Sequence, residues 1–350
     1  MGIYSGEGMA SGVSIEVLDL RHFAAPLLRP LLEAEGDLWR HRLHWDYRTS
    51  AKLLMQYLDS HMLPGYVAIE AGQVTGYAFC VYEESKAVIG DVFALSGRQI
   101  DPASGLSARS EDMRFEPQAQ PARETEETLL RHLFETLQNS PQVDRIESQL
   151  LLHPSGSHAS CFRRAGFEVY RRLFMVQQLS GVWNMPRPVL PRELELRAWR
   201  DDDLNAAGRL IADAYAGHPD SLINDQYRSA NGSLRFLHNI VRYSGCGTFS
   251  PQVSHVVSER SSRELVALVL GSRVSTQSGH ITQLCVRPGY RRKGLARLLL
   301  SVAATCFFRQ GVTEISLTVT EANANAIELY RQEGYECEHT FDAAVWERRS

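Results

Sequence analysis

The sequence predicts an α+β protein of two tandem domains, each a mixed, mainly antiparallel sheet flanked by helices. Three observations carry that reading. Pro186, Pro188 and Pro191 fall within six residues; the stretches on either side give the same order of strand and helix signals; and CFRRAGFE at 161–168 lines up with LYRQEGYE at 329–336. The prolines remove backbone donors that a helix interior or a central strand needs. They set a linker at 183–191 between a first domain at 1–182 and a second at 192–350. At 350 residues the chain has room for both, since a usual domain runs to roughly 100–200 residues.

The first domain opens with the strand IEVLDL (15–20), then FAAPLLRPLLEAEGDLWRHRL (23–43), a helical pattern expected to kink or break near Pro26 and Pro30. SAKLLMQYLDS (50–60) is a second helix, and YVAIE, VTGYAFCVYEE and AVIGDVFAL read as strands. Residues 96–123 are polar, hold three prolines and lack periodicity, so they are expected to form a mobile loop. ETEETLLRHLFETL is helical, RIESQLLLH extended, and ASCFRRAGFEVYRRLFMVQQL a short helix, a Gly cap and a strand.

The second domain repeats the series. LELRAW alternates as a strand, DDDLNAAGRLIADAY begins with cap-forming aspartates, and SLRFLHNIVRYSG is a second helix. Strands HVV, ELVALVLGSRVS and HITQLCV follow. Leu295, Leu298, Leu299, Val302, Ala303, Cys306 and Phe307 then recur at helical spacing up to Gly311. Ile315, Leu317 and Val319 alternate with Ser316, Thr318 and Thr320; a short helix closes on Gly334, and a last strand reaches Trp346.

Composition removes several functions. Thirty-seven Lys plus Arg against 41 Asp plus Glu give a net charge of −4, without the basic footprint of a nucleic-acid coat. No run of about 18 apolar residues is present to span a bilayer, and MGIYSGEGMASG lacks the regions of a signal peptide, so a cytoplasmic protein without membrane partners is expected. Cys80, Cys161, Cys246, Cys285, Cys306 and Cys337 are scattered, with no Cys-x-x-Cys pair, so neither a metal site nor a disulfide framework is indicated.

The most informative stretch is VRPGYRRKGLARLLL (286–300). A strand end, a Pro288–Gly289 turn, three cations (Arg291, Arg292, Lys293) and small residues at a helix start make an anion cradle from free amides and the positive dipole end. It is not the nucleotide loop G-x-x-x-x-G-K-[ST], because Leu295 and Ala296 stand at the Lys and Ser/Thr positions. The spacing that it does match is [Q/R]-x-x-G-x-[G/A], as Arg291-Arg292-Lys293-Gly294-Leu295-Ala296. Downstream, Asn323-x-x-Ala326-x-x-Leu329-Tyr330-x-x-x-Gly334-Tyr335 supplies a second motif.

With both motifs in order, residues 192–350 resemble the GNAT superfamily of acyl-CoA-dependent N-acyltransferases. Residues 13–180 resemble it weakly: the loop motif is missing and Phe162 replaces the Tyr330 equivalent, which reads as a degenerate copy. A tandem with an active second copy is similar to the mycothiol synthases, although His280 stands where those enzymes carry Glu, so their substrate is not carried over.

The resemblance implies acetyl-CoA as donor, no metal, and coenzyme contacts from Leu284, Cys285 and Val286 through their backbone, from Arg291, Arg292, Lys293, Gly294, Leu295, Ala296 and Arg297 in the loop, and from Asn323. It implies Tyr330 as general acid for the departing thiolate; the plain alternative is a packed aromatic. His280 is the candidate base, since alternation puts it on one face with Thr282, Leu284 and Val286 and an unperturbed imidazole titrates near ~6.5; the alternative is an exposed histidine at a strand start. Cys285 points the other way, as a buried thiol. Tyr215, His218, Asp220, Asn224, Asp225 and Tyr227 fall where the family has its acceptor loop, and a carboxylate there suits a cationic amine.

The expected activity is N-acetylation of a small-molecule primary amine by direct attack in a ternary complex. The alternatives are acetylation of a protein N-terminus or lysine, and a non-catalytic coenzyme-binding sensor.

Overall fold

The computed structural model describes residues 15–95, 120–179, 189–242 and 247–349. Most of the 183–191 linker and of the 96–123 loop lies outside them. The first half runs β1 (Glu16–Asp19), α1 (Ala25–Leu43), α2 (Arg48–Asp59), β2 (Gly65–Glu70), β3 (Gln73–Glu83), β4 (Lys86–Ala94), α3 (Gln120–Asn139), β5 (Arg145–Gln149), α4 (Ala159–Arg164) and β6 (Glu168–Gln178). The second runs β7 (Leu194–Ala198), α5 (Leu204–Tyr215), α6 (Asp220–Ile223), α7 (Ala230–Arg242), β8 (Thr248–Phe249), β9 (His255–Glu259), β10 (Leu265–Arg273), β11 (Ser278–Val286), α8 (Leu295–Arg309), β12 (Glu314–Thr320), α9 (Ala324–Gln332) and β13 (Glu336–Glu347).

The α+β class and the tandem order hold, with helices on both faces of a mostly antiparallel sheet. Helix α1 departs from expectation by running unbroken through Pro30. Pro26 sits in its first turn, where a missing N–H costs nothing, and Pro30 follows so closely that only the bond to the Pro26 carbonyl is lost. The aligned phrases do form matching corners: α4 and α9 each end before a glycine in the left-handed region, Gly166 at φ 83° and Gly334 at φ 84°.

The two halves do not keep separate sheets. Among the described residues one 13-stranded sheet runs β1-β2-β3-β4-β5-β13-β6-β12-β11-β10-β9-β7, with the short β8 paired to β10 off this path. The last strand of each half has crossed to the other: β13 pairs with β5 from Ala343↔Gln149 to Glu347↔Arg145, and β6 pairs with β12 from Gln178↔Glu314 to Arg172↔Thr320. β13 and β6 pair with each other between them. Each half supplies a single strand after its Gly-capped helix, and the exchange covers the edges of β5 and β12 that would otherwise be bare.

The halves also clasp through loops. After α1, Asp46 N–H donates to Val274 C=O at 2.7 Å and His44 Nδ1 lies 2.7 Å from Glu314 Oε1. In return, Asp225 after α6 meets buried Lys86 at 2.6 Å, and Arg145 donates to Leu222 C=O at 2.6 Å. Trp45, Phe174, Val176, Val274 and Phe341 form an apolar cluster between the halves. The larger cores lie under α8 in the second half and under α3 in the first.

Candidate active site

Two departures from a regular sheet open a cavity of about 1250 Å³ in the second half. β10 and β11 slip between Leu270 and Gly271, so Thr282 is an unpaired bulge. β11 and β12 pair in parallel from Ser278↔Glu314 only as far as Ile281↔Leu317, and beyond that the strands are no longer joined. Cys285 is registered with Leu268, and Arg287 N–H bonds Val266 C=O at 2.8 Å. Alternation therefore directs the peptide groups of Leu284 and Val286 away from β10 and into the gap, while those of Cys285 face β10.

At one end of the gap the chain makes a turn at Pro288–Tyr290 and enters α8 through Arg292 (φ 63°) and Gly294 (φ 78°). Glycine reaches this backbone region without the Cβ clash that Arg292 bears. The first helical bond is Leu298 N–H to Gly294 C=O at 3.0 Å, and Gly294 offers no side-chain cap, so the amides of Leu295, Ala296 and Arg297 have no intrahelical acceptor. The cations divide by task. Arg291 bonds the carbonyls of Val286 (3.2 Å) and Ala214 (2.7 Å), and Arg297 bonds Glu333 (2.6 Å) and Gln332 (2.8 Å), so both brace the loop. Lys293 lies over the Tyr290 ring at 5.0 Å, and Arg292 is exposed.

At the other end stands Tyr330 on α9. Asn323 caps this helix, accepting from Ala326 N–H at 3.3 Å, and its Nδ2 lies 3.1 Å from His218 Nε2. The Asn323 Oδ1 is thus committed to capping α9. Burial pushes the Tyr330 hydroxyl well above the ordinary phenol range; Asp220 adds to the shift and Arg172 opposes it. Thr320 Oγ1 donates to Asp220 Oδ1 at 2.5 Å. His218 Nδ1 accepts from Asp220 N–H at 3.1 Å, and burial lowers its affinity for a proton. Tyr215 reaches Gln283 Oε1 at 3.4 Å. Of the acceptor-loop candidates, Tyr215, His218, Asp220, Asn224 and Tyr227 border the cavity, whereas Asp225 is held by Lys86 at the join between the halves.

His280 borders the cavity, but the face that strict alternation gives it is changed. The Thr282 bulge reverses the alternation: Ile281, Leu284 and Val286 pack toward α8, Cys285 packs toward α5, and His280 faces away from Leu284 and Val286. His280 is 5 % exposed, with its ring edge-on to Trp45 at 4.9 Å and parallel to Phe174 at 6.4 Å. Ser316 Oγ donates to Gly279 C=O at 3.2 Å and lies 2.9 Å from His280 Nδ1, which therefore donates to it. Burial, with Arg172 nearby, pushes the imidazole down to about 3, so it stays neutral and does not titrate near pH 6–7. Cys285 is likewise buried, which pushes its thiol far up.

Two cavity residues, Gln149 and Arg172, come from the first half. Nothing local in the sequence marks them; only the strand exchange brings them here.

Residues 224–335 match the acetyltransferase (GNAT) family. Among solved structures, a GCN5-related N-acetyltransferase from Sphaerobacter thermophilus superposes with a TM-score of 0.59 at 17 % identity, covering 96 % of each chain. A tandem GNAT protein from the clavulanic acid biosynthesis pathway gives 0.57 at 12 % identity, over 96 % of this chain and 100 % of that one. A GCN5-related glucosamine N-acetyltransferase region of a fungal multi-domain GH3 β-N-acetylglucosaminidase gives 0.57 at 12 % identity, over 99 % of this chain and 40 % of that one. At these identities the likeness is one of fold. Among the described residues, no helix is long and apolar enough to cross a membrane.

Proposed function

We propose, for a chain whose C-terminal half carries a GNAT-family acetyltransferase domain, that it moves an acetyl group from acetyl-CoA to a primary amine of a small molecule in a ternary complex. The observation that carries this reading is one cavity with unpaired helix amides at one end and Tyr330 beside Asp220 at the other. The pyrophosphate suits the amides of Leu295, Ala296 and Arg297, where dipole and N–H groups favour an anion. The pantetheine arm suits the peptide groups of Leu284 and Val286, which brings the thioester toward Tyr330.

In the chemical step the amine nitrogen attacks the thioester carbonyl carbon, and the C–N bond forms as the C–S bond breaks. Asp220 holds the ammonium, which gives up one proton to water through the carboxylate before the attack and a second to water as the tetrahedral adduct collapses to the amide. Tyr330 gives its proton to the sulfur and recovers one from water. Burial makes Tyr330 a weaker acid, but the thiolate released into the same desolvated space gains proton affinity as well. His280 has no part in this scheme. Gln149 and Arg172 wall the acceptor end, which favours a small molecule over a side chain presented on a protein surface.

The test is release of free thiol from acetyl-CoA by the purified chain across a panel of small amines and peptides. Turnover with small primary amines is expected. Acetylation confined to peptides would move the acceptor to proteins, and coenzyme binding without thiol release would replace the transferase reading with a binding module.

A further inference from the structure

The gap that the second half keeps open is filled in the first by its own side chains. Between β3 and β4 the register slips at Phe79/Cys80, making Gly90 the bulge that Thr282 is in β11. Val92 and Ala94 therefore occupy the places of Leu284 and Val286, beyond the last β4–β5 pair at Ile89↔Ser148. The Val92 carbonyl accepts from His153 Nε2 at 2.9 Å, and the Ala94 amide donates to Glu126 Oε1 at 3.1 Å.

These two bonds also aim lone pairs. With Nε2 donating, His153 presents Nδ1 as an acceptor, and Glu126, held through Oε1, brings Oε2 toward it. His158, the residue before α4, brings Nε2 to both. His158 Nε2 lies 3.1 Å from Glu126 Oε2 and 3.3 Å from His153 Nδ1, and the third side of the triangle, His153 Nδ1 to Glu126 Oε2, is 3.8 Å. A tetrahedral ion with bonds of about 2.0–2.1 Å spaces its ligand atoms about 3.3 Å apart. All three side chains are at most 3 % exposed.

We propose that Glu126, His153 and His158 bind a divalent transition-metal ion, Zn²⁺ by the donor set, which bolts α3 to the β5–α4 connection across the first half's closed gap. The competing arrangement is a proton on His158 Nε2 shared with its two neighbours. That proton leaves the approach of His153 Nδ1 to Glu126 Oε2, two acceptors, repulsive, whereas an ion satisfies all three atoms. His153 and His158 stand at the H-x4-H spacing of zinc motifs, but the third ligand, Glu126, lies on a helix well before them and nothing local in the sequence joins it to the pair.

The experiment is elemental analysis of the untagged full chain, grown with added zinc and purified without chelator. About one zinc per chain is expected, with the metal lost in His153→Ala and His158→Ala. Protein grown on cobalt should show the intense visible bands of a four-coordinate Co²⁺ site, a readout on the wild-type chain that carries the test where an alanine variant fails to fold. A folded wild-type chain with substoichiometric zinc and cobalt, and a melting temperature indifferent to chelator, overturns the proposal in favour of the shared proton. Neither readout depends on acetyl transfer, so its failure is distinct from failure of the proposed activity.

Discussion

Thr320 Oγ1 lies 2.5 Å from Asp220 Oδ1, tying the last residue of β12 to the first residue of α6 beside Tyr330. The bond fixes one carboxylate oxygen, and on the proposed function the other meets the acceptor's ammonium. Asp220→Asn is expected to lower kcat/KM for the amine by about 10–100-fold, the value of one charge-assisted hydrogen bond, with coenzyme affinity unchanged. Steady-state kinetics with the coenzyme saturating, alongside calorimetric titration of the coenzyme, checks the split.

Tyr330→Phe keeps the ring against Tyr335, 5.8 Å away, and removes only the proton donor. We expect kcat to fall by roughly 10–10³-fold with KM for acetyl-CoA little changed. A fall in KM affinity of the same size would assign Tyr330 to binding.

His280 gives a pH prediction with a definite sign. Its folded-state affinity is depressed to about 3 from the ordinary 6.5, so below pH 6.5 the unfolded chain takes up a proton that the folded chain refuses. The stability contribution is whole above pH 6.5 and falls away as the pH drops toward 3. Between pH 7 and pH 5 it amounts to about 2 kcal/mol. His280→Leu should flatten that part of the stability profile, measured by denaturant titration at the two pH values, while leaving the acidic limb of kcat/KM where it was.

Gly294→Glu puts a Cβ at φ 78° and a negative charge where the anion would sit. Gly294→Ala carries the backbone cost alone. Coenzyme affinity should fall at least about tenfold further in the glutamate variant than in the alanine variant, as charge repulsion at close range implies. Equal losses by calorimetry would assign the effect to strain and remove the pyrophosphate from this loop.

Periodicity and spacing make much of this molecule legible in its sequence. The helical run from Leu295 to Phe307, the alternation from Ile315 to Val319, the anion loop ahead of α8 and the glycine corners at Gly166 and Gly334 are local patterns with local causes. What failed depends on partners distant in the chain. Strict alternation puts His280 on one face with Leu284, and the one-residue bulge at Thr282 that reverses it carries no composition signal. Its burial comes from Trp45, which reaches it only when the loop after α1 docks on the start of β11. Glu126 lies well before the His153–His158 pair in sequence and meets it only through the packing of α3.

The crossing of β13 to β5 also sets a timetable for synthesis. Roughly 190 residues separate Gln149 from the strand that covers its edge, an interval of roughly 10–40 s at the ribosome's pace of about 5–20 residues/s. Until β13 has been translated, the emerging first half shows an open row of backbone donors and acceptors to its surroundings. Arg145 and Glu147 lie on that row and later join the charge cluster around Lys86. During those seconds they are the groups that discourage neighbouring nascent chains from adding a strand of their own.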